Sequence, residues 1–107
     1  MSVSFHSNRA QILSEVQQAT DRALEIVGGM AESYAKKLCP VDTGNLRNSI
    51  THEQEDDDTE VIGTNVEYAP YVELGTVKMA AQPYLRPAAE GHSEEYKHVI
   101  VTELWKV

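Results

Sequence analysis

The chain has 107 residues, of which 41% are apolar and 24% charged, with a formal net charge of −8. That length suits one domain able to bury an adequate core without staples, and the composition is that of an ordinary globular protein. The negative balance argues against a duplex nucleic-acid binder, whose affinity rests on lysine and arginine against phosphates, and no run nears the roughly 20 apolar residues of a membrane-spanning helix.

The one cysteine, Cys39, has no second thiol in the chain to bridge to, which suits a reducing compartment. The first residues, MSVSFHSNRAQ, lack the charged-then-apolar profile of a signal peptide. A soluble protein made in a cytoplasm is therefore expected, forming a single domain over residues 1–107.

In chain order, Ser7 or Asn8 is a plausible N-cap for a long amphipathic helix reaching Leu38. Its apolar positions are Ile12, Val16, Ala19, Ala23, Val27, Met30, Tyr34 and Leu38, spaced by threes and fours along one stripe. Glu15, Gln18, Asp21, Arg22, Glu25 and Glu32 mark the opposite, polar face. Gly28 and Gly29 each weaken the helix by roughly 1 kcal/mol relative to alanine, and a bend or a close backbone approach would account for them. At ~1.5 Å per residue the helix is roughly 45 Å long, more than a compact domain of this size needs. Part of its stripe is therefore expected to be covered by another subunit.

Pro40 disfavours helix at Cys39 and ends this element. Asp42 or Thr43 caps a short turn, and Gly44 supplies a positive φ if the turn demands one. A strand is predicted from Asn48 through His52 and a second from Glu60 to Asn65, flanking the acidic run Glu53-Gln54-Glu55-Asp56-Asp57-Asp58-Thr59-Glu60. This predicts a hairpin with Asp56 to Asp58 near its tip. One hairpin is marginal alone and needs the helix or a neighbour's strand against its apolar side.

Ala69-Pro70-Tyr71-Val72-Glu73-Leu74 reads as one or two helical turns, with proline near the start and Gly75 after the end. Tyr71 and Leu74, three apart, share a face. So short a helix is stable only when packed, so it is expected to bridge larger elements. Residues 77–82 read as an exposed loop, and a last helix runs from about Leu85 to Trp105, divided in two if Gly91 breaks it. Leu85, Ala89, Tyr96, Val99, Ile100 and Leu104 define its apolar face, with His92 in the gap. The resulting fold class is α+β: a long N-terminal helix and a C-terminal helix packed on a small antiparallel hairpin, with a short connecting helix.

No group of residues carries an obvious reaction. The acidic run lacks the spacing and glycine of a calcium loop. His6, His52, His92 and His98 are scattered, and none pairs with another as an i, i+4 metal couple does. Cys39 with His52 and Asp42 would make a nucleophile and base, but Cys39 sits in no recognisable nucleophile turn; at a helix end a lone cysteine reads as a small apolar filler. Tyr68, Tyr71 and Tyr84 read as packing and interface residues, because no basic groove accompanies them. Trp105 reads as a helix anchor or a partner contact. No metal or cofactor is expected.

Three blocks do carry a resemblance. Cys39-Pro40-Val41-Asp42-Thr43-Gly44-Asn45-Leu46-Arg47-Asn48-Ser49-Ile50, then Ile62-Gly63-Thr64-Asn65-Val66-Glu67-Tyr68-Ala69-Pro70-Tyr71-Val72-Glu73-Leu74-Gly75-Thr76, then Gln82-Pro83-Tyr84-Leu85-Arg86-Pro87-Ala88 occur in this order. They resemble the P-x-D-T-G-x-L-[RK]-x-S, V-G-x-N-x-x-Y-A-x-x-x-E-x-G-T and Q-P-[YF]-L-R-P-A motifs of the small tail-component, or neck, family of tailed bacteriophages and prophages. The chain departs from that pattern in a short loop between Gly75 and Gln82 and in its acidic hairpin tip.

The resemblance implies a non-enzymatic virion protein at the head–tail junction, made in the bacterial cytoplasm, without catalytic residues or cofactor. It implies a homo-oligomeric ring, with six copies as the candidate number, docking on connector and tail-tube proteins and specific for no nucleic acid. Asp42, Thr43, Gly44, Leu46, Tyr68, Tyr71, Glu73, Gly75, Pro83, Tyr84 and Arg86 are then its structural and interface residues, with Arg86 expected to pair with Glu73 or Asp42. The alternative is a small acidic binding or inhibitory module acting on a basic nucleic-acid-binding partner.

Overall fold

The computed structural model describes residues 9–40, 44–78 and 80–107. The caps expected at Ser7, Asn8, Asp42 and Thr43 lie outside the described residues. The order is α1 (Arg9–Leu38), α2 (Gly44–Ser49), β1 (Thr51–Asp56), β2 (Thr59–Gly63), α3 (Ala69–Leu74), α4 (Leu85–Glu90) and α5 (Ser93–Leu104). This is the α+β architecture expected, and none of the described helices is long and apolar enough to cross a membrane.

α1 is the spine. The hairpin lies along one flank and α5 runs antiparallel along another, so that Tyr34 reaches Glu95 near the start of α5 while Arg22 meets Glu103 near its end. Between the two flanks α1 buries Ala19, Ala23, Leu24, Gly28, Ala31 and Ala35. These are mostly small residues, which let both neighbours come close to the helix axis.

The buried stripe is thus rotated from the one the apolar spacing predicts. Val27, Met30 and Tyr34 are half-buried at its margin, and Ile12, Val16 and Leu38 are exposed. A single-stripe reading assumes one covering surface, whereas α1 has two, and among the described residues none covers its first turns. The polar face is also in use. Asp21, Glu25, Gly28 and Glu32 recur at helical spacing and meet the hairpin, through Gln54 to Asp21 at 2.8 Å and His52 to Glu25 and Glu32 at 3.1 and 3.3 Å.

β1 and β2 pair antiparallel with His52 opposite Ile62 and Gln54 opposite Glu60; an irregularity between Gln54 and Asp56 brings Asp56 opposite Thr59. Asp57 and Asp58 form the turn, where the Asp58 N–H donates to Asp56 Oδ1 at 3.1 Å, the local bond that suits aspartate to turns. The acidic tip is therefore where the sequence places it. The first strand starts later than predicted: Asn48 and Ser49 belong to α2. Leu46 and Ile50 are buried in the same cluster while Asn48 midway between them is exposed, a helical rather than strand pattern. Ser49 Oγ donates to the Leu46 carbonyl at 2.6 Å and also meets Thr64 Oγ1, which closes the turn before β1.

The main core lies at the C-terminal end of α1, where Ala35 and Cys39 meet Leu46, Ile50, Ala69, Val72, Tyr84 and Ala88. The chain does divide at Gly91 and His92 into α4 and α5. That break offsets the two segments, so Ala88 is buried in place of Ala89, and α5 buries Tyr96 and Glu103 while Leu104 is 38% exposed. Tyr96 donates its hydroxyl to the Ala88 carbonyl across the break.

Candidate functional site

Two regions stand out: the bridge around α3, where most expected site residues fall, and the seam between α1 and the hairpin, where none was expected.

At the bridge, Tyr68 precedes α3 and its carbonyl accepts from the Tyr71 and Val72 N–H groups at 3.1 and 3.3 Å. Pro70 occupies the first turn, where no N–H is missed. Gly75 ends the helix at φ 78°, a conformation cheap for glycine, and its N–H donates to the Tyr71 carbonyl at 2.8 Å. Glu73 then takes a role not anticipated: its Oε1 accepts the Tyr84 and Leu85 N–H groups at 3.3 and 2.7 Å. It thereby satisfies donors at the start of α4 that have no partner within the helix.

Leu46 and Tyr84 are fully buried in the core with Ala69 and Val72. The Tyr84 hydroxyl has no hydrogen-bond partner among the described residues. Its pKa is pushed up to about 12, first by burial and then by the nearby Cys39 thiol and Glu73. Tyr71 and Leu74 do share a face, but that face is open to solvent, at 58% and 78% exposure. Pro83 is exposed, and Gly44 begins α2. Arg86 does not pair with Glu73, whose Oε1 caps the α4 backbone; its Nε approaches Glu90 Oε1 at 3.8 Å on the exposed side of α4. Asp42 and Thr43 lie outside the described residues.

At the seam, both His52 ring nitrogens face carboxylates: Nε2 lies 3.1 Å from Glu25 Oε1 and Nδ1 lies 3.3 Å from Glu32 Oε1. Burial alone would lower the imidazole pKa, but the bonds to Glu25 and Glu32 outweigh it and hold it above the ordinary value. Glu60 comes from β2 to the same place; both its oxygens are buried without a hydrogen-bond partner among the described residues. Burial raises its pKa. Gly28 sits beneath: a Cβ there would lie 2.6 Å from His52 Cδ2 and closer still to Glu60 Oε1. The close approach that this glycine permits is by side chains rather than by backbone, and no other described element comes within 4 Å of where a Gly29 Cβ would stand. Beside the cluster a cavity of about 390 Å³ opens between Gly28, Ala31, Ile62, Leu85 and Tyr96. With both nitrogens turned to glutamates, His52 does not serve Cys39 as a base, and Cys39 belongs to the core beside Tyr84.

Sequence reasoning missed this cluster because its members stand on three elements. One signal was available: Glu25, Gly28 and Glu32 fall at i, i+3 and i+7, two acids flanking a glycine on one helix face.

Among the described residues, three groups of exposed apolar side chains bear on assembly. Every residue from 9 to 16 of α1 is exposed, including Ile12 and Leu13 at 53% and 57%. Tyr71, Leu74 and Val77 form a second exposed group, and Val101, Trp105 and Val107 a third.

The family model described as "Bacteriophage HK97-gp10, putative tail-component" matches residues 6–75. No curated protein and no solved structure matches the chain.

Proposed function

The chain belongs to this bacteriophage HK97-gp10-like tail-component family, and from that premise we propose that it is a non-enzymatic subunit of the head–tail junction that closes into a ring. The observation that supports this reading best is the bare start of α1. Gln17 touches the hairpin tip, its Nε2 donating to the Asp57 carbonyl at 3.1 Å. Residues 9–16 extend past it by about 12 Å with Ile12, Leu13 and Val16 uncovered. A projecting apolar end on one side and an exposed Tyr71–Leu74 face elsewhere are two different surfaces. Contacts between unlike surfaces are the kind that form rings when the rotation closes. Connector and tail-tube proteins are the proposed neighbours above and below such a ring.

Light scattering on the eluting species tests it. A discrete oligomer whose mass is a whole multiple of 11.9 kDa, six being the candidate, is expected at high concentration. Ile12→Glu with Leu13→Glu should return it to monomer without altering its helical circular dichroism. A chain that stays monomeric at every concentration and instead binds a basic nucleic-acid-binding protein would overturn the proposal.

A further inference from the structure

We propose that Glu25, His52 and Glu60 form a site for a divalent transition ion of the zinc class, which fastens the hairpin to α1. The inference stands apart from the head–tail role and does not depend on it.

One donor atom from each residue lies within 4.8 Å of the others, and His52 Nε2 is already 3.1 Å from Glu25 Oε1. In a tetrahedral zinc site with bonds near 2.0–2.1 Å, neighbouring ligand atoms stand roughly 3.4 Å apart, so small side-chain movements complete the set. Imidazole with carboxylates is a donor combination that zinc accepts.

The second nitrogen of the ring is accounted for as well. His52 Nδ1 faces Glu32 Oε1 at 3.3 Å, and Glu32 is itself steadied by Lys36 at 3.5 Å. A carboxylate on Nδ1–H fixes the tautomer that leaves the Nε2 lone pair for a metal, the arrangement that commonly supports metal-bound histidines. Glu25 is 74% exposed, so it closes the site from solvent and leaves a further coordination position open to water.

Glu60 distinguishes this reading from an imidazolium clasped between two glutamates. Such a clasp explains Glu25 and Glu32 but leaves both Glu60 oxygens buried and unpartnered. An orphaned buried carboxylate is costly; a divalent cation at the centre of the cluster gives it a partner. Gly28 keeps open the space that the Glu60 carboxylate and the His52 ring occupy, since any Cβ there would intrude on both.

The test is zinc titration of the untagged, full-length chain by calorimetry, together with thermal melts in zinc and after EDTA. Expected are one ion per chain, a melting temperature that rises with zinc and falls back on chelation, and at least tenfold weaker binding in His52→Gln and in Glu60→Gln. Glu32→Gln should weaken binding by roughly 10- to 100-fold through the tautomer, while His98→Gln and Glu53→Gln leave it unchanged. If the seam variants fail to fold, cobalt(II) bound to the wild-type chain still decides: intense visible absorption of a four-coordinate complex is expected. The pale spectrum of the hydrated ion, no saturable zinc binding, or binding that His52→Gln leaves intact and calcium matches would each overturn the site.

Discussion

Gly28 and Gly29 are neighbours in α1, yet replacing each by alanine should move stability in opposite directions. Within a helix, glycine costs roughly 1 kcal/mol relative to alanine. Among the described residues, nothing outside the local helix backbone comes within 4 Å of where a Gly29 Cβ would stand, so Gly29→Ala should recover that amount in full. In a domain near 100 residues this raises the melting temperature by about 4 °C. Gly28→Ala makes the same local gain but drives a methyl against His52 and Glu60. For the ring to withdraw, the bonds from His52 to Glu25 and Glu32 must loosen, and bonds to charged groups contribute about 1.5–3 kcal/mol each. Losing both in part outweighs the helix gain, leaving a net loss of about 1–3 kcal/mol. Urea denaturation followed by circular dichroism measures both variants, and the expected difference between them is about 2–4 kcal/mol by the same reckoning. If Gly28→Ala stabilises as much as Gly29→Ala, the hairpin does not rest on that face of α1.

Five further substitutions address the bridge and the antiparallel helices. Because the buried Tyr84 hydroxyl lacks a partner among the described residues, Tyr84→Phe should be neutral or stabilising by up to about 1 kcal/mol, whereas Tyr84→Ala should cost about 3–5 kcal/mol through the cavity it leaves; denaturant midpoints distinguish the two. Glu73→Ala leaves the Tyr84 and Leu85 N–H groups without their acceptor and should cost about 1–3 kcal/mol, while Arg86→Ala, on an exposed pair, should change stability by less than about 0.5 kcal/mol in the same assay. The pKa of Glu103 is held below the ordinary carboxylate value chiefly by the hydrogen bond from Lys106, with burial opposing and Arg22 assisting. A depressed pKa contributes stability that is present above the unfolded value and lost as pH falls through the folded one. Melting curves of the wild type should therefore drop below the carboxylate range more steeply than those of Glu103→Gln.

What could be read from sequence was what local chemistry decides. Pro70 and Gly75 bracket α3 because each acts through its own backbone, and Asp56 to Asp58 mark the hairpin tip for the same reason. The start of β1 was misplaced because Asn48 and Ser49 suit a strand edge about as well as a short helix, and burial of Leu46 with Ile50 decided between them. The face of α1 was misjudged because most of its large apolar side chains are not the ones buried: Ile12, Val16 and Leu38 are exposed, while Ala31 and Ala35 are buried beside Leu24's stripe, where two neighbours press close. The seam was hidden because His52 finds its glutamates 27 and 20 residues away. Only the pairing of hairpin with helix, a tertiary event, brings those residues together.

The proposal of a junction ring is tested most directly by immunogold electron microscopy of purified particles of the phage encoding this chain. Label concentrated where head meets tail, at one cluster per particle, is the predicted result. Particles that carry no label there, although the protein is abundant in the infected-cell lysate, would contradict it.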